Sequence, residues 1–282
     1  MSVECIVLDF DGTFTLVDRE AVPFLEGFLA DLRADLGDDV AARWDETVAR
    51  VKADPDRYGW ENDGVIVAPS HADPYILATT VGQLLLADAG ISSRAERTEK
   101  LQGLYQRNYP RALTVFRPDA KAVIETIVAT SIPVFVVTNS RTDHVQAKLD
   151  QLAPKGLSQI TVRGDARKFV LTPPSPIDDA WKRVPATREL AGLSRPIHLQ
   201  RGAYYDQLRR IWTETGTDAA GTLVCGDIYE LDLALPSELG ARVHLVARPD
   251  TPEYERRAAR SRVGGSMSQN LSGLLEVLEL PG

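Results

Sequence analysis

Four short apolar runs, each closed abruptly by polar residues, constrain this chain more than any other feature. Ile6–Leu8 runs into Asp9-Phe10-Asp11-Gly12-Thr13, and Pro133–Val137 into Thr138-Asn139-Ser140. Thr222–Cys225 runs into Gly226-Asp227, and Val243–Ala247 into Arg248-Pro249. Such a run has no polar face, so it predicts a strand buried on both sides. Ile160–Val162 is a weaker fifth candidate. Helical spacing fills the gaps. Asp119–Thr130 carries Ala122, Val123 and Ile127. Thr142–Leu152 carries Val145, Leu149 and Leu152. Ala203–Thr215 carries Tyr204, Leu208 and Ile211, with Gly216 as its stop. Strands alternating with helices imply an α/β, Rossmann-like parallel sheet with right-handed crossovers. Ligands of such sheets bind beyond the carboxyl ends of the strands, where the acidic and hydroxyl residues of this chain are expected to lie.

The alternation breaks between Leu16 and Thr114. Phe24–Leu36, Val40–Val51, Tyr75–Ala89 and Ala95–Gln106 all have helical patterns, and Asp54–Ala72 is polar and turn-rich, predicting an irregular link. A stretch of this length far exceeds an ordinary connection. We therefore divide the chain into a core domain, 1–16 and 115–282, and an inserted helical domain, 17–114. A second insertion, Gly164–Pro196, is rich in Pro and Arg without clear periodicity, predicting an irregular loop or short hairpin.

The net charge over 282 residues is -8, with 44% hydrophobic and 26% charged residues, as in a globular protein. An acidic chain gains no counterion-release affinity for nucleic acid or anionic membrane, so neither is expected as a partner. No apolar stretch is long enough to span a bilayer, and the first apolar run stops at Asp9 without a leader pattern. The cytoplasm is the expected location. The two cysteines, Cys5 and Cys225, lie in apolar runs and are read as small buried hydrophobes. His71, His144, His198 and His244 are scattered and read as structural or solvated.

Asp9-Phe10-Asp11-Gly12-Thr13 after an apolar strand resembles the first motif of the haloacid dehalogenase (HAD) superfamily. Thr138 matches the second-motif hydroxyl, and Gly226-Asp227-Ile228-Tyr229-Glu230-Leu231-Asp232 the fourth motif. The resemblance covers about residues 3–15 and 115–250. It implies a HAD-like core with a mainly α-helical cap inserted after the first motif. It also implies a magnesium-dependent phosphatase acting on a phosphate monoester of a small metabolite through an aspartyl-phosphate.

The chemistry requires such groups. A phosphate ester repels an anionic nucleophile, so a divalent cation must lie between them. Mg2+ takes oxygen ligands. Asp9 and Asp227 are the candidate carboxylates, and Asp232 a further ligand or a supporting acid, with Glu230 as its competitor. The resemblance implies the Asp11 backbone carbonyl as another ligand. Asp9 is the candidate nucleophile and Asp11 the candidate general acid and base. Thr138 and Asn139 are candidates for holding phosphate, although Asn139 and Ser140 are also placed to cap the following helix. Two residues compete for the third-motif cation. Arg201 is preferred for its place before a helix, and Lys168 is the alternative.

A calcium-loop reading of the Asp9 segment fails, because Phe14, Leu16 and Val17 fall where oxygen ligands would be needed. A phosphomutase, or a degenerate binding or regulatory module, are the alternatives that the resemblance leaves open. Dehalogenase and phosphonate hydrolase are disfavoured, since neither needs the acid/base that Asp11 supplies. Tyr58-Gly59-Trp60-Glu61-Asn62-Asp63 and Tyr105-Gln106-Arg107-Asn108-Tyr109 are candidates for reading a leaving group, against ordinary packing.

Overall fold

The first apolar run folds as β1 (Cys5–Leu8), and its side chains divide between two buried clusters. Cys5 and Val7 enter one, Ile6 and Leu8 the other, which is why no polar residue interrupts the strand. The computed structural model describes residues 2–70 and 73–281, so His71 lies outside the described residues. After β1 the chain departs through α1 (Val17–Glu20), α2 (Val22–Leu36), α3 (Val40–Ala53), β2 (Gly59–Asn62), β3 (Val65–Pro69), α4 (Pro74–Asp88) and α5 (Arg94–Asn108). It resumes alternation with α6 (Ala120–Val128), β4 (Val134–Val137), α7 (Thr142–Leu152) and β5 (Ile160–Arg163). A loop-rich stretch holds α8 (Asp179–Lys182), β6 (Thr187–Arg188) and β7 (Ile197–His198). There follow α9 (Gly202–Thr215), β8 (Thr222–Gly226), a π-helical turn at Tyr229–Leu233, α10 (Ala234–Leu239), β9 (Arg242–Val246), α11 (Glu253–Ser261), β10 (Gly265–Ser268) and α12 (Gly273–Val277).

The main sheet runs β10-β9-β8-β1-β4-β5, with every pairing parallel. Its register sets Leu8 beside both Val136 and Cys225. Asp9, Thr138 and Asp227 therefore leave the sheet at one edge, within two residues of their strand ends. The chain separates into two compact units, Met1–Leu16 with Phe116–Gly282, and Val17–Val115. The inserted unit has its own core, built on Phe24, Phe28, Leu32, Val81 and Leu85. Among the described residues, no helix is long and apolar enough to cross a membrane.

One expectation needs correction. Asp54–Ala72 is not simply an irregular link, because β2 and β3 form an antiparallel hairpin within it. Its turn is Asp63-Gly64, with φ of 49° and 78°, the conformation that a two-residue hairpin loop demands. Gly164–Pro196 does begin a short hairpin, its Thr187–Arg188 pairing antiparallel with Ile197–His198, and it adds one helical turn and buries Trp181, Val184, Leu190 and Leu193 in the core. The edge strand β10, Gly-Ser-Met-Ser, was not foreseen. It is half-buried along its length and carries no apolar run.

Candidate active site

Asp9 follows β1 directly and is 8% exposed. The chain then makes a single tight turn in which Thr13 and Phe14 N–H groups both donate to the Phe10 carbonyl. Phe10 and Phe14 are fully buried and stacked, with ring centroids 5.4 Å apart, and anchor this turn in the core. Gly12 has φ of 83°, and a Cβ there would fall 2.2 Å from Asp227 Oδ2. Glycine is thus required twice, for the backbone conformation and for the approach of Asp227. Arg117 locks the turn from outside the motif, donating through Nη2 (2.8 Å) and Nε (3.3 Å) to the Gly12 carbonyl. The sequence reading gave Arg117 no role.

Lys168 is the cation at Asp9. Its Nζ lies 2.7 Å from Asp9 Oδ1 and 2.8 Å from Asp232 Oδ1, and the side chain is 1% exposed. The preference for Arg201 was therefore misplaced. Arg201 does precede a helix, but its guanidinium donates to the carbonyls of His198 (3.0 Å) and Lys168 (2.7 Å). It fixes the backbone that carries the cation. Asn139 acts likewise: its Oδ1 accepts from the Lys168 N–H at 2.8 Å. The Ala166 N–H donates to the Thr138 carbonyl at 2.9 Å, tying the same loop to the end of β4. Asp165 and Arg167, in the same loop, adopt left-handed φ of 52° and 47°.

Asp232 has both oxygens engaged, Oδ1 with Lys168 and Oδ2 with the Ile228 N–H at 3.0 Å. It presents the cation to Asp9. The neighbouring Gly226 makes room, since a Cβ there would meet the Asp232 Cβ at 2.5 Å. Glu230 belongs elsewhere: Arg195 and Tyr254 hold its carboxylate, with Arg195 Nη2 at 2.7 Å. Asp227 is 3% exposed, with Arg248 Nη1 3.6 Å from its Oδ2. Its Oδ1 is buried with no hydrogen-bond partner among the described residues.

Asp11 is turned toward α7. Ser140 Oγ donates to its Oδ2 at 2.6 Å, and Lys148 Nζ lies 3.1 Å from its Oδ1. Ser140 and Asn139 thus do not cap α7, whose N-cap position falls on Arg141. Thr138 is buried, and its Oγ1 accepts from the Ser140 N–H at 3.1 Å. Lys148 escaped the sequence reading, because one lysine on an exposed helix face carries no signal of its own.

Electrostatics follow from this burial. Desolvation pushes the Asp9 carboxyl up to about 7, against the pull of Lys168. Asp227 is also raised by burial, with Arg248 opposing. For Lys168 burial disfavours the charge, but Asp232 and Asp9 outweigh it and the ammonium is held above its ordinary range. Oxygens of Asp9, Asp227 and Asp232 lie within 4.8 Å of one another. With Lys168 occupying one oxygen of Asp9 and one of Asp232, the unpartnered Asp227 oxygen and the remaining Asp9 oxygen are an all-oxygen donor pair suited to a hard divalent cation.

No family model and no curated protein matches the sequence. Solved structures do. A predicted phosphoglycolate phosphatase from Haemophilus somnus 129pt is 14% identical, covering 98% of each chain with a TM-score of 0.56. The HAD-hydrolase-class protein YfnB of Bacillus subtilis, bound to magnesium, is 12% identical over 99% of this chain and 100% of its own, at 0.52. The chain has the HAD-like fold. A haloacid dehalogenase-like hydrolase from Bacteroides fragilis matches similarly, at 11% identity, 97% and 100% coverage, and 0.51. In this HAD-like chain Asp9, Thr138 and Asp227 lie at the carboxyl edge of the sheet, with Lys168 in contact with Asp9.

In the inserted unit, Tyr58, Trp60 and Tyr105 line a cavity of about 740 Å³ formed wholly by that unit. Arg107 pairs with Asp31 at 3.2 Å, and Tyr109 stacks on Tyr105 at 5.2 Å. Cys5 and Cys225 are buried free thiols.

Proposed function

We propose that this chain is a magnesium-dependent phosphohydrolase that cleaves the phosphate monoester of a small metabolite through an aspartyl-phosphate on Asp9. The observation that carries this reading is the buried Asp9–Lys168–Asp232 chain beside an Asp227 oxygen with no hydrogen-bond partner among the described residues. A carboxylate sequestered against one cation is positioned and stripped of water, which are the conditions a nucleophile needs. Asp9 and Asp227 would hold the cation, with Asp232 supporting Lys168. A bound Mg2+ would supply the positive charge that lets an anionic ester approach the Asp9 carboxylate.

The remaining steps belong to the chain's own groups. Asp9 attacks phosphorus. Asp11 gives a proton to the departing oxygen and then takes one from the water that frees Asp9. Lys168 and the Thr138 hydroxyl stabilise phosphate oxygens at the edge of the sheet. The magnesium bound to the Bacillus protein and the phosphatase assignment of the Haemophilus protein agree with this reading.

The test is phosphate release from p-nitrophenyl phosphate, with and without chelator, alongside melting curves. Magnesium should be required, and should raise the thermal midpoint of the wild type. A cation at about a hundred times its Kd adds about 2.7 kcal/mol of stability. Asp227→Ala should lose both effects. Activity undiminished in excess chelator would refute the metal.

A further inference from the structure

Both oxygens of Asp11 are claimed by one supersecondary unit. Ser140 Oγ, in the loop after β4, meets Oδ2 at 2.6 Å, and Lys148 Nζ, on α7, meets Oδ1 at 3.1 Å. Lys148 also passes over the Phe10 ring, 5.6 Å from its centroid, so it touches both the acid and the turn that carries it. Val145 and Leu149 on either side are buried and seat α7 against the core. The same stretch supplies Thr138, whose Oγ1 accepts from the Ser140 N–H. Residues 138–148 therefore carry the Thr138 hydroxyl and both contacts to Asp11 in one continuous segment.

We infer that Lys148, with Ser140, is a positioning residue that clamps Asp11 in its working orientation for proton transfer. This rests on the reading of Asp9 as nucleophile and Asp11 as acid and base. Alone, a carboxylate one residue before a glycine turn would sample several rotamers. Two directed contacts on separate oxygens select one, and proton transfer tolerates only small errors of placement. The ion pair is partly buried, its side chains 25% and 31% exposed. Its value lies in orientation, and melting curves of each Lys148 variant check that the fold is kept.

The prediction separates the two half-reactions. Nitrophenolate departs without a proton, so phosphorylation of Asp9 by p-nitrophenyl phosphate bypasses Asp11, whereas an alkyl phosphate needs Asp11 in both steps. In Lys148→Met, stopped-flow with p-nitrophenyl phosphate should show a burst near one equivalent, then a steady rate about tenfold to a hundredfold below wild type. Alkyl phosphate should show the same loss with no burst and little change in KM. Lys148→Arg should recover much of the rate, and Ser140→Ala should follow the same pattern more weakly. Wild-type rates for Lys148→Met on both esters, or equal losses without a burst on either, would overturn the clamp. Should the wild type itself release no phosphate, the reaction is misread, and crystals decide the clamp separately. An Asp11 carboxylate displaced in the Lys148→Met, Ser140→Ala double variant supports it. An unmoved carboxylate overturns it.

Discussion

Lys168 shows why a single side chain can govern this site. It is in direct contact with two carboxylates, Asp9 and Asp232, with 1% of its side chain exposed. Removing one partner of a buried ion pair leaves the others uncompensated, which typically costs about 3–5 kcal/mol. Lys168→Met should therefore both abolish turnover and lower the unfolding free energy from urea melts by an amount in that range. A variant as stable as wild type would mean that the buried acids are protonated or hydrated without it. The residue's importance was only half-legible in the sequence. Asp9, Thr138 and Asp227 each end an apolar strand, so their neighbours announce them. Lys168 sits in a loop with no period, and its position depends on contacts from Thr138, Asn139 and Arg201 that are distant in sequence. A rule of local position, a cation before a helix, selected Arg201 because local position was all it could weigh.

Elements were legible in proportion to how apolar they are. β1, β4 and β8 pack on both faces, and their runs mark them plainly. β10 lies at the edge and needs only one covered side, so Gly265–Ser268 carries no such mark. The β2–β3 hairpin did have a signal, Asp63-Gly64, which the polar composition around it concealed. The pairing of β9 with β10 carries its own test. His244 is held between Ser266 Oγ and Ser268 Oγ, each at 2.8 Å, and burial lowers its pKa from 6.5 to about 4. Between those values the unfolded chain binds the proton and the folded one does not. Stability attributable to His244 is thus present above 6.5 and lost as pH falls toward 4, at up to about 1.4 kcal/mol per pH unit. Carboxylates titrate in the same range, so the comparison must be with a variant. His244→Asn should show a shallower loss of urea midpoint from pH 6.5 to 4 than wild type. Parallel curves would place His244 in water.

At the scale of the whole molecule, two units with separate cores share one chain, and the residues at the carboxyl edge of the sheet all belong to the core unit. The division was readable because a hundred-residue helical stretch cannot be a loop. The site's balance was less so, because it emerges only on assembly. Asp9, Asp227 and Asp232 are answered by Lys168 and by Arg248, a buried arginine after β9 that no motif flagged. The central claim is that Asp9 is the atom donor to phosphorus, and borohydride trapping tests it most directly. Wild-type protein turning over p-nitrophenyl phosphate with magnesium would be quenched into borohydride, which reduces an acyl phosphate to an alcohol. Peptide mapping should then find homoserine in place of Asp9 and at no other acid, with none formed when substrate is omitted. Continued phosphate release with Asp9 unreduced, or reduction at a different carboxylate, would contradict the account.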